Sequence, residues 1–184
     1  KLTTAGLSGT SNSPAGIIFK WTKAANASGY KIYRRTGNSS KWVNIATVSG
    51  SNTLVYTDGS VKAGTMYTYT VRAYKGSALS AYNKNGSRIV RLTAPVQYKP
   101  SSKASGKLTV RWKKAAGASG YQIQYAASRS MRGARTVSTS ALTRTLSGLK
   151  KGSTYYVRIR AYKKVSGKTY YGAWSSVKNA KVRK

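Results

Sequence analysis

The sequence predicts an all-β protein: two consecutive Greek-key sandwiches of about seven short strands each. Three observations predict it. Apolar and polar residues alternate with a period of two through most of the chain. One long motif occurs twice, with Trp21 and Tyr30 answered by Trp112 and Tyr121, each pair 91 positions apart. No stretch of about twelve residues carries the apolar stripe of a helix.

The strands follow from the alternation. In the first copy Ile17, Phe19 and Trp21 share one face, and Ile18, Lys20 and Thr22 the other. The next strand sets Tyr30 and Ile32 against Lys31, Tyr33 and Arg35. A long late strand groups Tyr67, Tyr69, Val71 and Ala73. In the second copy Leu108, Val110 and Trp112 face inward, and the late strand groups Tyr155, Val157, Ile159 and Ala161. Turn signals separate these runs, among them Ser28-Gly29, Asp58-Gly59, Asn85-Gly86 and Ser166-Gly167. KAGTMYTYTVRAYK is answered by KKGSTYYVRIRAYK, but Tyr67 and Tyr155 are only 88 apart, so the second copy is three residues shorter between these anchors. Repeats of about ninety residues suit sandwich domains rather than solenoid units. The boundary is expected near Leu92-Thr93-Ala94-Pro95, giving domains over 1–93 and 94–184. Pro95 opposes continuation of the preceding strand.

These residues resemble a known family. A Trp on the second strand, Gly-Tyr-x-Ile on the third and Gly-Thr-x-Tyr-x-Tyr-x-Val-x-Ala on the sixth are similar to fibronectin type III domains. Both copies carry the set: Trp21, Tyr30, Ile32, Gly64, Tyr67 and Ala73, then Trp112, Tyr121, Ile123, Gly152, Tyr155 and Ala161. The resemblance implies two seven-stranded immunoglobulin-like sandwiches. It implies a core of Trp21, Tyr30, Tyr67, Trp112, Tyr121 and Tyr155, with Tyr67 and Tyr155 at the tyrosine-corner position, where the hydroxyl bonds to backbone just upstream. Gly172-Ala173-Trp174-Ser175 resembles the lead-in to the family's last strand. The Lys-rich, cysteine-free style is similar to tandem modules of secreted or wall-associated proteins of Gram-positive anaerobes, gut Firmicutes included. That implies a spacer, a wall-contacting unit or an arm beside a catalytic domain. Integrin-binding members carry Arg-Gly-Asp; here Met131-Arg132-Gly133-Ala134 lacks the carboxylate.

Composition narrows the chemistry. The 184 residues hold 34 Lys and Arg against a single acid, Asp58, with no His and no Cys, for a net charge of +33. A carboxylate pair, a Ser-His-Asp triad and a Cys-His pair are all impossible within these residues. A zinc or calcium site lacks ligands, so no cofactor or metal is expected. A Ser–Lys or Tyr–Lys site would need a desolvated lysine, and strand-surface lysines are solvated. No phosphate-cradling glycine loop is present. Asp58, just after a strand, reads as a turn former; as a metal ligand it has no companions. The chain is thus expected not to be an enzyme. No apolar run approaches the ~20 residues of a membrane helix. Without an initiator Met or a signal-like start, the chain reads as part of a larger polypeptide.

With 15 Tyr and 4 Trp the chain is too aromatic for a disordered basic tail. Its field opposes self-association, favouring a monomer, and attracts polyanions. The candidate anionic-polymer face is the outer side of the second sheet in each copy: Lys31, Tyr33, Arg35, Arg72 and Tyr74, then Gln122, Gln124, Tyr156, Arg158, Arg160 and Tyr162. Cations interleaved with rings combine charge with contact area. The competing reading is a solvated face whose long side chains protect the sheet. The expected partner is teichoic acid or another polyanion, with a secreted or cell-wall location. The alternative is a secreted ligand or adhesin for a protein receptor, irisin-like or adhesion-type. Nucleic-acid binding ranks lower, since no reading element is evident.

Overall fold

The computed structural model describes residues 1–184 and contains strands but no helix. The chain divides into two compact units, Lys1–Arg91 and Leu92–Lys184.

In the first unit, β1 (Leu7–Ser13), β2 (Gly16–Trp21) and β5 (Val55–Asp58) form one antiparallel sheet in the order β1-β2-β5. The second sheet runs β4 (Val43–Ser49), β3 (Gly29–Thr36), β6 (Met66–Lys75). The far edge of β6 is shared by two short strands, β7 (Ala78–Leu79) and β8 (Ser87–Val90). Between the sheets, Ile17, Phe19, Tyr30, Ile32, Tyr69, Val71 and Ala73 are fully enclosed. Each large apolar side chain so buried contributes about 1.5–3 kcal/mol.

The second unit repeats the plan. β9 (Leu108–Arg111) pairs with β12 (Thr143–Leu146). Opposite them, β10 (Gly120–Ala126) lies between β11 (Arg135–Thr139) and β13 (Thr154–Val165). β14 (Lys168–Tyr171) and β15 (Lys178–Lys181) share the outer edge of β13. The first strand is reduced to two bridges, Gln97 to Trp112 and Ser101 to Thr109. Pro100 lies between them and has no N–H to give a ladder, so the strand cannot run unbroken.

The repeated Trp…Ala-Ser-Gly-Tyr motif has a local cause. Trp21 packs edge-on against Tyr30 at 5.5 Å, and Trp112 against Tyr121 at 5.3 Å. Each tyrosine hydroxyl then accepts from a backbone N–H in the loop between them, Ala24 at 3.1 Å and Ala115 at 2.9 Å. The tyrosine corner appears twice: Lys62 N–H donates to the Tyr67 hydroxyl at 2.9 Å, and Lys150 N–H to that of Tyr155 at 3.3 Å. Tyr155 is nonetheless only half-buried, which corrects its expected place in the core. It lines a surface groove with Tyr125 and Arg135. In the first unit Arg34, the counterpart of Tyr125, lies 5.0 Å over the Tyr67 ring and covers it.

Candidate functional site

The lone acid has the expected turn role and a second, buried one. Asp58 is only 1% exposed. Its Oδ1 does accept from the Ser60 N–H at 3.0 Å, as in a turn, and from the Ser60 hydroxyl at 2.8 Å. Its Oδ2 accepts from Arg34 Nη1 and from the Tyr69 hydroxyl, both at 2.7 Å. Burial alone would push this carboxyl up. The bonds from Tyr69, Arg34 and Ser60 and the Arg34 charge together hold it below the ordinary carboxylate range. Burial opposes the charge on Arg34, yet Asp58 raises its pKa. Burial, then the bond to Asp58 and its negative charge, push the Tyr69 phenol well above its usual value.

Register shows that this cluster belongs to the first unit alone. Ile17 pairs with Asp58 where Leu108 pairs with Leu146, so Leu146 stands in the place of Asp58. Tyr125 and Val157 likewise replace Arg34 and Tyr69. One unit closes its sandwich with an ion pair and the other with apolar packing.

The consequence for the surface is larger than for the core. With Asp58 enclosed and paired to Arg34, no side-chain carboxylate is exposed anywhere on the chain.

The outer faces of β3 and β6 carry Lys31, Tyr33 and Arg35 beside Arg72 and Tyr74. Lys31 is directly across from Arg72 and Tyr33 from Thr70. Arg72 donates its Nε to the Ser80 carbonyl at 2.7 Å and stacks over Tyr82 at 5.6 Å. Arg35 stacks over Trp42 at 4.8 Å, and Trp42 meets Tyr82 edge-on at 6.2 Å. On β10 and β13, Gln124 Oε1 accepts from Arg158 Nε and Nη2 at 2.9 and 2.7 Å, and Gln122 Oε1 from Arg160 Nε at 2.8 Å. Both guanidiniums lie over Trp174, at 4.6 and 4.4 Å, and Arg160 also over Tyr171 at 3.9 Å. Burial and the neighbouring Arg158 charge lower the Arg160 pKa, against the opposing effect of Tyr171. A guanidinium has five N–H donors, so these bonds leave others for an anion. Tyr156 sits on the same face, opposite Ala126 and Asn179.

Tyr74 and Tyr162 have a more local task. Each lies across the strand from a glycine, Gly29 and Gly120. A Cβ at Gly29 would meet the Val48 carbonyl oxygen and lie 2.7 Å from the Tyr74 ring; one at Gly120 would lie 2.5–2.6 Å from the tip of Tyr162. The glycines of both Ser-Gly-Tyr motifs make room for a ring laid across the sheet. Gly29→Ala is expected to destabilise the first unit by about 1–3 kcal/mol, read from its urea unfolding midpoint.

The aromatic lids Tyr82, Trp174 and Tyr171 were not among the expected site residues. A signal existed. Ser80 N–H bonds to the Ala73 carbonyl where Gly172 N–H bonds to that of Ala161, so Tyr82 and Trp174 each follow the same hairpin by the same distance. Trp174 is turned outward because Ser175 is anchored inward: its N–H donates to the Ile159 carbonyl at 2.7 Å, and its hydroxyl accepts from the Ile159 N–H at 3.0 Å.

Residues 93–177, nearly all of the second unit, match the family model of the fibronectin type III domain. A poly(3-hydroxybutyrate) depolymerase of Ralstonia pickettii is 37% identical over 73 residues, 40% of this chain. That stretch is 13% of the depolymerase, so the chain corresponds to a small part of that relative. Among solved structures, the FN1–FN3 domains of chicken CNTN1 align over 99% of this chain and 68% of theirs, at 20% identity and a TM-score of 0.46. A two-domain fibronectin type III segment of chicken tenascin aligns over 98% of each chain, at 18% identity and a TM-score of 0.47.

Proposed function

We propose that this chain, whose second unit matches the fibronectin type III family model, is a non-catalytic binding and spacing segment of a secreted bacterial protein that contacts anionic polymers of the cell wall. One observation carries the reading. The formal charge is +33, and the only side-chain carboxylate is withdrawn into the first sandwich. A polyanion approaching any face therefore meets cations without a competing side-chain carboxylate. The arginines of the outer sheet faces are stacked on rings, which holds their guanidiniums at the surface in fixed poses. The partial match to a depolymerase supports a module that serves a larger polypeptide. Teichoic acid, a repeating phosphate polymer, suits guanidinium recognition.

Retention on purified Gram-positive walls, with and without teichoic acid, tests this reading. Binding that needs teichoic acid is the expected result. Binding to neither wall would turn the search to a protein receptor. Replacing Arg72, Arg158 and Arg160 with Gln is expected to weaken polyanion binding roughly tenfold, if each charge lost removes about one phosphate contact. Unchanged affinity would remove these faces from the site.

A further inference from the structure

Among the differences between the outer faces of the two units, one cross-strand pair governs the space above the sheet. In the second, Arg158 fills the space above the sheet, bonded to Gln124 across the strand and stacked on Trp174. In the first, the same cross-strand pair is Tyr33 and Thr70. The shorter threonine leaves a recess of about 110 Å³ lined by Tyr33, Trp42, Thr70, Arg72 and Tyr82. Its parts are held in place. Thr70 donates its hydroxyl to the Asn83 carbonyl at 2.9 Å, and the Ser80 carbonyl fixes Arg72. Trp42 and Tyr82 brace each other. A Cβ at Gly86, whose φ is +67°, would lie 2.9 Å from Trp42, so the loop closes tightly on that ring.

We propose that this recess binds a carboxylated sugar unit of an acidic polysaccharide. The inference rests on the polyanion reading of this face and names a ligand class for it. Three aromatic side chains offer faces and edges to the C–H surface of a sugar ring. Arg72, with Arg35 stacked over the adjoining Trp42, offers the forked donors that match a carboxylate. No carboxylate lines the recess to favour a cation instead. The recess is smaller than the usual ~300–1,000 Å³ ligand cleft, so it grips one ring of a polymer and does not enclose a free molecule.

The test uses the full chain and a galacturonate trisaccharide, with a neutral galactose trisaccharide, poly(glycerol phosphate) and choline as comparison probes, followed by amide chemical shifts. The expected result is binding of the uronate with shifts at Trp42, Thr70 and Tyr82, and none by choline or the neutral sugar. Thr70→Arg installs the side chain that fills the second unit. It adds a positive charge, so bulk attraction for poly(glycerol phosphate) should hold or rise while uronate affinity falls at least tenfold. Tyr82→Ala removes one wall and reads the same loss if the arginine variant fails to fold. Uronate binding that survives both changes, or equal binding of the neutral sugar or choline, overturns the proposal. Uronate binding without wall retention would uphold the recess and discard the wall-contact reading.

Discussion

Asp58→Ala is expected to lower the stability of the first unit by about 2–4 kcal/mol, while leaving the second unit unchanged. The substitution strands the Tyr69 hydroxyl, which is fully enclosed, and leaves Arg34 facing the core without a counter-charge. The lower end of the range applies if Arg34, whose side chain is 19% exposed, can swing toward water. Residue-resolved hydrogen exchange separates the two units. The second unit supplies the control: Leu146, Tyr125 and Val157 occupy the corresponding sites. Transplanting that set as Arg34→Tyr, Asp58→Leu and Tyr69→Val is expected to return the first unit to within about 1 kcal/mol of its original stability, since packed apolar groups can equal or exceed a buried ion pair. A triple variant as weak as Asp58→Ala would show that the ion pair does more than fill this site.

The same carboxylate sets the acid response. Its folded pKa lies below the unfolded value, so its stabilisation is complete above the unfolded carboxylate pKa of about 3.9 and is lost as pH falls through the folded value. No other side chain titrates in that range, because the chain has no other acid and no histidine. The urea midpoint of the first unit is therefore expected to hold from neutral pH to about pH 4 and to fall below it. In Asp58→Asn the midpoint, already lower, is expected to be flat across the same range. A parallel fall in the variant would place the acid sensitivity elsewhere.

The second large effect is on binding. Retention on teichoic-acid walls is expected to drop by about a hundred-fold between roughly 50 and 200 mM salt, if about four phosphates are neutralised in the contact. Condensed counterions released on binding are the driving force, and salt removes it. Because no exposed side-chain carboxylate offsets the cations, the slope should not depend on pH between about 5 and 8; His is absent and ordinary Lys and Arg stay charged there. Binding that is saturable and indifferent to salt would point to a protein receptor with a packed, largely uncharged interface.

Much of the fold was legible because β-structure writes its faces into the sequence with a period of two. Ile17, Phe19 and Trp21, or Leu108 and Val110, can only be buried together if their strand turns that side to the core. The duplicated Trp…Gly-Tyr set was legible for a second reason: its bonds run from a tyrosine to a loop six residues earlier, and local contacts leave local signatures. The same alternation put Arg34 on the core side of its strand. A charge there asks for a partner, and the chain has one acid, but spacing alone does not show that Asp58 on another sheet reaches it.

What the sequence alone determined is the all-β sandwich architecture, the inward and outward sides of the main strands, and a composition of 34 Lys and Arg with one acid, no histidine and no cysteine. Tertiary structure decided which residues close over those faces. Trp42, Tyr82 and Trp174 come from loops and split edges, where no periodicity constrains direction, and they become lids only where the fold sets them against Arg35, Arg72 and Arg158. Whether an arginine-filled stack or an open recess lies beneath them depends on one cross-strand pair, Gln124 with Arg158 or Tyr33 with Thr70. Those pairs are 34 and 37 residues apart along the chain and meet only through strand register, which only the folded sheet defines.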